Sequence, residues 1–172
     1  MKCRKCKMVY TRIPEGFDLL GIYDKSYFQG GQQYGYGDYA ASEKVLRKEF
    51  AKSVRIFKSL TKNQADLKLL ELGSAYGYFL DEARDSFDCI GLEVSKDAAQ
   101  YSIDRGNKVL TDYYDEATAE RIGKIDVVAM FDVIEHLPDP LGTIQLIDKY
   151  LKKDGLILIT TGNIDSLLAK LM

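Results

Sequence analysis

From about Ala40 onward, apolar positions recur at intervals of three and four, and Leu46, Phe50, Val54, Phe57 and Leu60 fall on one face of a long helix. The other face carries Lys44, Arg47, Lys48, Lys52, Arg55 and Lys58, which reads first as a solvated surface and second as an anion-binding one. Beyond Lys62 the pattern changes to short apolar runs separated by helical stretches, the signature of strand-helix-strand units and a parallel sheet. The runs predict strands near Lys68 to Leu72, Asp88 to Glu93, Lys108 to Leu110, Ile125 to Phe131 and Leu156 to Thr161. Helices are predicted from about Gly77 to Ser86, from Ser95 as N-cap to Gly106, over roughly Glu116 to Ile122, and from near Pro140 to an end before Gly155. Right-handed crossovers would place them on both faces of a doubly wound α/β sheet of about five strands.

Ahead of this lies a segment, Tyr10 to Tyr39, rich in Gly and Tyr and without periodicity, which reads as an irregular arm. The organisation expected is therefore an arm over residues 1–39 and a domain over 40–172. A chain of 172 residues can bury a core without disulfides, and 46% hydrophobic residues with a net charge of -2 describe an ordinary soluble protein. That balance argues against nucleic acid as partner, no apolar run reaches membrane-spanning length, and a cytoplasmic location is expected.

Three cysteines fit reduced thiols. Cys3 and Cys6 form a CxxC, one half of a zinc ribbon; neither Cys89, inside a predicted strand, nor His136 suits a third ligand. Zinc is expected only if the CxxC is completed elsewhere. A remnant knuckle or a chain starting midway through a ribbon is favoured over a redox CxxC, with a subunit-shared site as a further alternative.

The chemistry concentrates in the run from Leu67 to Leu80, LKLLELGSAYGYFL. In doubly wound sheets the ligand sits beyond the carboxyl ends of the strands, where Glu71 to Gly77 falls. Gly73 lets the chain turn sharply, and Gly77 lets the next helix start close to sheet and ligand. Glu93, ending the second strand, can accept ribose hydroxyls. The dinucleotide fingerprint would need a small residue where Tyr78 stands, and a P-loop would need Gly-Lys-Ser/Thr. No Lys or Arg occurs between Leu69 and Ala83, a poor setting for a pyrophosphate but a suitable one for a cofactor bearing an amine and a sulfonium. S-adenosylmethionine has both, together with a ribose.

Glu71-Leu72-Gly73-Ser74-Ala75-Tyr76-Gly77 resembles motif I of the class I S-adenosylmethionine-dependent methyltransferases, with Ala75 at the usual middle glycine. Glu93 falls on their ribose-binding acid and Asp112 near the acid that reads the adenine amino group; Phe131 to Pro140 resembles the segment that closes over the cofactor, and Leu151 to Ile159 the turn into the fifth strand. The resemblance implies a Rossmann-like sheet in the order 3-2-1-4-5 and a cofactor site drawn from Glu71, Gly73, Ser74, Ala75, Gly77, Tyr78, Glu93, Val94, Asp112, Phe131 and Asp132. A subgroup with an N-terminal CxxC and a Tyr-rich arm, often associated with sugar modification, is similar in its first residues. There the arm folds over the cofactor, which would bring Tyr27, Tyr34 or Tyr39 to the pocket, with surface packing as the alternative. The family continues past the fifth strand, so a truncated chain is expected, with that strand's edge open to oligomerisation.

Methyl transfer to a hydroxyl needs alignment and a base for the departing proton. His136, the only histidine, is the candidate base; the alternative is an imidazole that fixes its own loop through backbone or Glu135. The acceptor expected is a small molecule or a saccharide, and the competing readings are a nicotinamide or nucleotide-sugar enzyme and a non-catalytic cofactor-binding module.

Overall fold

The structure is a computed structural model and describes residues 1–5, 9, 14, 16–17, 21–23, 25–29 and 38–166. Five parallel strands form one sheet: β1 (Lys68–Leu72), β2 (Asp88–Leu92), β3 (Val109–Leu110), β4 (Ile125–Phe131) and β5 (Leu151–Thr160), in the order β3-β2-β1-β4-β5. The helices are α1 (Lys25–Phe28), α2 (Glu43–Leu60), α3 (Tyr78–Ala83), α4 (Lys96–Asp104), α5 (Glu116–Ile122) and α6 (Pro140–Tyr150). Short 3₁₀ turns precede α2 and α6, over Ala40–Ser42 and Ile134–His136. The expected doubly wound sheet and its strand order are both present.

Strand alternation sorts the core into two layers. Leu69, Val127 and Ala129 face α2 and α3, where Phe50, Val54, Phe57 and Phe79 cover them. Leu70, Val128 and Met130 face the other way, against Ile122 of α5 and Ile147 of α6. With both faces covered, the central strands β1 and β4 need apolar residues at almost every position, which is why their sequences are continuous runs and not alternations.

Three boundaries differ from the sequence expectation. α3 starts at Tyr78 because Gly77 takes a left-handed φ of 76° and serves as the cap. β5 starts at Leu151, which pairs with Ile125, and after a bulge Leu156 pairs with Val127. The polar residues Lys152 to Gly155 make that bulge, with Asp154 at φ 65°, and α6 ends at Tyr150, before Gly155 as expected. β3 keeps only two residues, since little apolar sequence is available there. The arm, expected to be irregular, contains α1 and packs by its rings: Phe28 stacks on Tyr76 with centroids 5.2 Å apart, and Tyr39 stacks on Tyr78 at 5.5 Å. Among the described residues no helix is long and apolar enough to cross a membrane.

Candidate functional site

The loop between β1 and α3 is a tight backbone crossing. The Gly73 and Ser74 N–H groups both donate to the Leu92 carbonyl, at 2.8 and 3.1 Å, so the loop lies across the end of β2. Gly77 N–H then donates to the Ser74 carbonyl at 2.8 Å and closes the turn. Gly73 has φ 70°, and a Cβ there would stand 2.5 Å from Val133 Cγ2, in the loop that follows β4. At Gly77 a Cβ would meet Ser102 Oγ at 2.0 Å, so only glycine lets α4 pack this closely. Ala75 between them is also left-handed, at φ 45°.

This crossing carries Glu93 into a fixed position. Its Oε2 accepts the Ala75 N–H and its Oε1 the Ser95 N–H, each at 2.8 Å. Only 5% of the residue is exposed, and burial raises its carboxyl above the usual range although the backbone donors oppose that shift. Each oxygen retains a lone pair that can accept a further hydroxyl.

Glu93 faces a cavity of about 420 Å³ beyond the carboxyl ends of the strands. The sequence-expected residues Gly73, Ala75, Glu93, Val94, Asp112, Phe131, Asp132 and His136 all line it. Glu71, Ser74, Gly77 and Tyr78 do not reach its wall. Glu71 lies beneath, 3% exposed, with Oε2 making no hydrogen bond among the described residues. Burial, reinforced by Glu93 and Asp81, holds its carboxyl well above the usual range. Ser74 is also buried, and its Oγ likewise has no partner among the described residues. Gly77 turns the chain into α3. Tyr78 is covered by Tyr39 on the far side of the loop, with the Arg105 guanidinium 5.2 Å from its ring centre. Tyr34 and Cys6 lie outside the described residues. Cys3 is half-buried, and among the described residues no group of three or more His, Cys, Asp or Glu is placed to hold a metal ion.

The wall is acidic as well as apolar. Glu93, Asp112 and Asp132 contribute three carboxylates, while Lys and Arg are absent from the lining among the described residues. Asp112 Oδ2 pairs with Arg121 Nη2 at 3.0 Å, and Asp132 takes a left-handed φ of 53° where β4 ends. His136 sits in the 3₁₀ turn after β4; its backbone N–H donates to the Val133 carbonyl at 2.9 Å, leaving the imidazole at the cavity.

Sequence reasoning left several wall residues out of the site. Tyr113 and Tyr114 follow Asp112 directly, and their adjacency to an expected site acid was the available signal. Leu137, Pro138 and Thr143 complete the side after β4. Of the arm residues expected at the pocket, Tyr27 and Tyr39 line it; the arm also supplies Tyr23 and Phe28, which no periodicity in its sequence singles out.

Comparison with known proteins adds independent findings. A family model described as a methyltransferase domain matches residues 43–172. The chain is 36% identical over 75 residues to the ubiquinone biosynthesis O-methyltransferase of Actinobacillus pleuropneumoniae serotype 5b (strain L20), covering 42% of this chain and 32% of that protein. It is 32% identical over 111 residues to the protein of the same name from Haemophilus ducreyi, covering 56% of this chain and 45% of that protein. The chain thus spans less than half the length of these curated relatives. Among solved structures, the plantazolicin methyltransferase BpumL, in complex with a pentazolic desmethylPZN analog and SAH, superposes with a TM-score of 0.59. The identity is 16%, over 75% of this chain and 51% of that one. A precorrin-6y C5,15-methyltransferase from Geobacter metallireducens GS-15 gives 0.54 at 17% identity, over 73% of this chain and 66% of that one. At such identities the likeness is one of fold.

Proposed function

The chain belongs to the methyltransferase domain family, and on that premise we propose that its cavity binds S-adenosylmethionine and serves methyl transfer to a hydroxyl of a small-molecule acceptor. The observation that carries this reading is the Glu93 carboxylate, fixed by two backbone N–H groups at the wall of a cavity whose described lining holds three acids and no Lys or Arg. A ribose diol suits the remaining lone pairs of Glu93. Leu92, Val94 and Tyr114 offer an apolar bed for an adenine, and Asp112 an acceptor for its amino group. The buried Glu71 Oε2, without a partner among the described residues, fits a site that receives positive charge, since an amine nearby would favour its ionised form. A nicotinamide dinucleotide is served less well, because its pyrophosphate would meet these acids with no cation in the described lining to offset them.

When bound, this cofactor supplies an electrophilic methyl group carried on a sulfonium. The chain's part is to align the acceptor and to exclude water, for which the arm residues Tyr23, Tyr27 and Phe28 over the cavity are suited. His136, at the cavity wall, is placed to take the proton from the acceptor hydroxyl at an imidazole nitrogen. Relatives named ubiquinone biosynthesis O-methyltransferases support an oxygen acceptor.

Calorimetric titration with S-adenosylhomocysteine and with NAD tests the reading. Binding of the first and not the second is expected; binding of NAD alone would overturn it.

A further inference from the structure

Glu71 pairs across the sheet with Gly91 of β2 and Ala129 of β4, so no polar side chain flanks it within the sheet. It lies on the same face of β1 as Leu69, the face that α2 and α3 cover with Phe50, Val54, Phe57 and Phe79. A Cβ on Gly91 would meet Ser74 Oγ at 2.6 Å and Leu80 Cδ1 of α3 at 2.7 Å, so the Ser74 hydroxyl lies over that face too. Glu71 Oε2 and Ser74 Oγ are both buried without a partner among the described residues. The groups that act on Glu71 through space are all acids: Glu93 beyond β2, Asp81 of α3 and the Cys89 thiol of β2. On the same side β4 brings only Val127, Ala129 and Phe131. The nearby cations Arg47 and Arg105 are bound to Asp81, at 3.4 and 2.5 Å, and none among the described residues pairs with Glu71.

We propose that Glu71 lets the site tell the methyl donor from its demethylated product, by releasing a proton to solvent when the donor binds and retaining more of it when the product does. The inference rests on the S-adenosylmethionine reading and adds how that site discriminates. Burial among acids favours the protonated carboxyl in the free chain. Glu93 stands at the cavity wall and already acts on Glu71, so a cation held against that wall acts on it with the opposite sign. Donor and product share an ammonium and a carboxylate. Only the donor adds a sulfonium, and the product's sulfur is neutral. Ionisation of Glu71 is therefore favoured more by the donor. Once the methyl group has left, the buried carboxylate has lost part of its counter-charge, and taking back the proton from solvent favours release of the product. No bond to the cofactor forms in this step; the proton passes only between Glu71 and solvent.

Calorimetric titration in buffers of different ionisation enthalpy counts the protons released on binding. S-adenosylmethionine and S-adenosylhomocysteine are titrated into the unaltered chain and into Glu71→Gln at about pH 6 and about pH 8. In the unaltered chain the donor should release more protons than the product. A ligand that expels a proton binds more tightly as pH rises, so the ratio of donor to product affinity should grow at least about threefold from the lower pH to the higher. In Glu71→Gln the excess release should vanish and the ratio should stay level. Difference infrared spectroscopy of the unaltered chain needs no variant: the band of a buried protonated carboxyl should be lost when the donor is added. The proposal is overturned by equal proton release for the two ligands, by a band that persists, or by a Glu71→Gln protein that keeps the excess. Any of these with both ligands bound leaves the cofactor reading standing and removes only the part given to Glu71. Failure of both ligands to bind would overturn the cofactor reading itself.

Discussion

Two of the three left-handed residues in the β1–α3 loop, Gly73 and Ala75, hold that backbone for different reasons. Gly73, at φ 70°, lies against Val133, so Gly73→Ala adds both a left-handed alanine and a 2.5 Å clash. It should cost about 2 kcal/mol or more and weaken S-adenosylhomocysteine binding, as read by urea unfolding and calorimetry. Ala75, at φ 45°, already bears a strained conformation. Ala75→Gly should therefore stabilise the fold by up to about 1 kcal/mol, and a loss of stability would show that the methyl group's packing outweighs the backbone strain. Glu71 gives a prediction in pH. A carboxyl whose pKa is higher in the fold than in the unfolded chain binds its proton more tightly when folded. Its contribution to stability is full below the unfolded value and is lost as pH rises through the raised one. Glu71→Gln should accordingly flatten the fall in stability between about pH 5 and about pH 8, measured by urea unfolding at those two values. Identical slopes for the two proteins would show that Glu71 is not the group responsible.

At the scale of elements, one ionic cluster holds the loop's supports together. Asp81 of α3 is 3% exposed at its side chain and receives Arg105 Nε at 2.9 Å and Nη2 at 2.5 Å. Asn107 Nδ2 donates to the same carboxylate at 3.0 Å and lies 3.4 Å from the Gly77 carbonyl. From α2, Arg47 reaches Asp81 at 3.4 Å and Glu82 at 2.7 Å, and Glu43 accepts from Arg105 at 2.9 Å. Asp81→Ala would leave Arg105 half-buried without its main partner and should cost about 2–3 kcal/mol. The loss should appear as a lower melting temperature; an unchanged one would show that the cluster adds nothing net. Sequence periodicity could not foresee this cluster, because its members stand far apart in the chain and meet only after α2 and α4 have packed beside α3. The elements themselves were legible. β1 and β4 announce themselves as apolar runs, and α2 as a stripe at helical spacing. The start of β5 was not legible, since Lys152 to Gly155 look like a turn and in the fold are a bulge inside a strand. The arm's tyrosines were expected at the pocket, but its local order was not legible: it comes from Phe28 against Tyr76 and Tyr39 against Tyr78, contacts that no local pattern encodes.

For the molecule as a whole, the sheet order β3-β2-β1-β4-β5 places the ends of β1, β2, β3 and β4 around one cavity. The acids expected from the sequence reach that wall because each ends or follows a strand: Glu93 after β2, Asp112 after β3, Asp132 after β4. The cover over them comes from the arm, whose tyrosines, Tyr27 and Tyr39 among them, are the signal the sequence carries for it. The central claim is that Glu93, locked by Ala75 and Ser95, holds the ribose of a cationic nucleoside cofactor. Its most direct test compares S-adenosylhomocysteine binding by the unaltered chain and by Glu93→Gln, which keeps the shape and one acceptor while removing the charge. The account predicts an affinity loss of roughly tenfold to hundredfold for a folded variant; an affinity equal to that of the unaltered chain would contradict it.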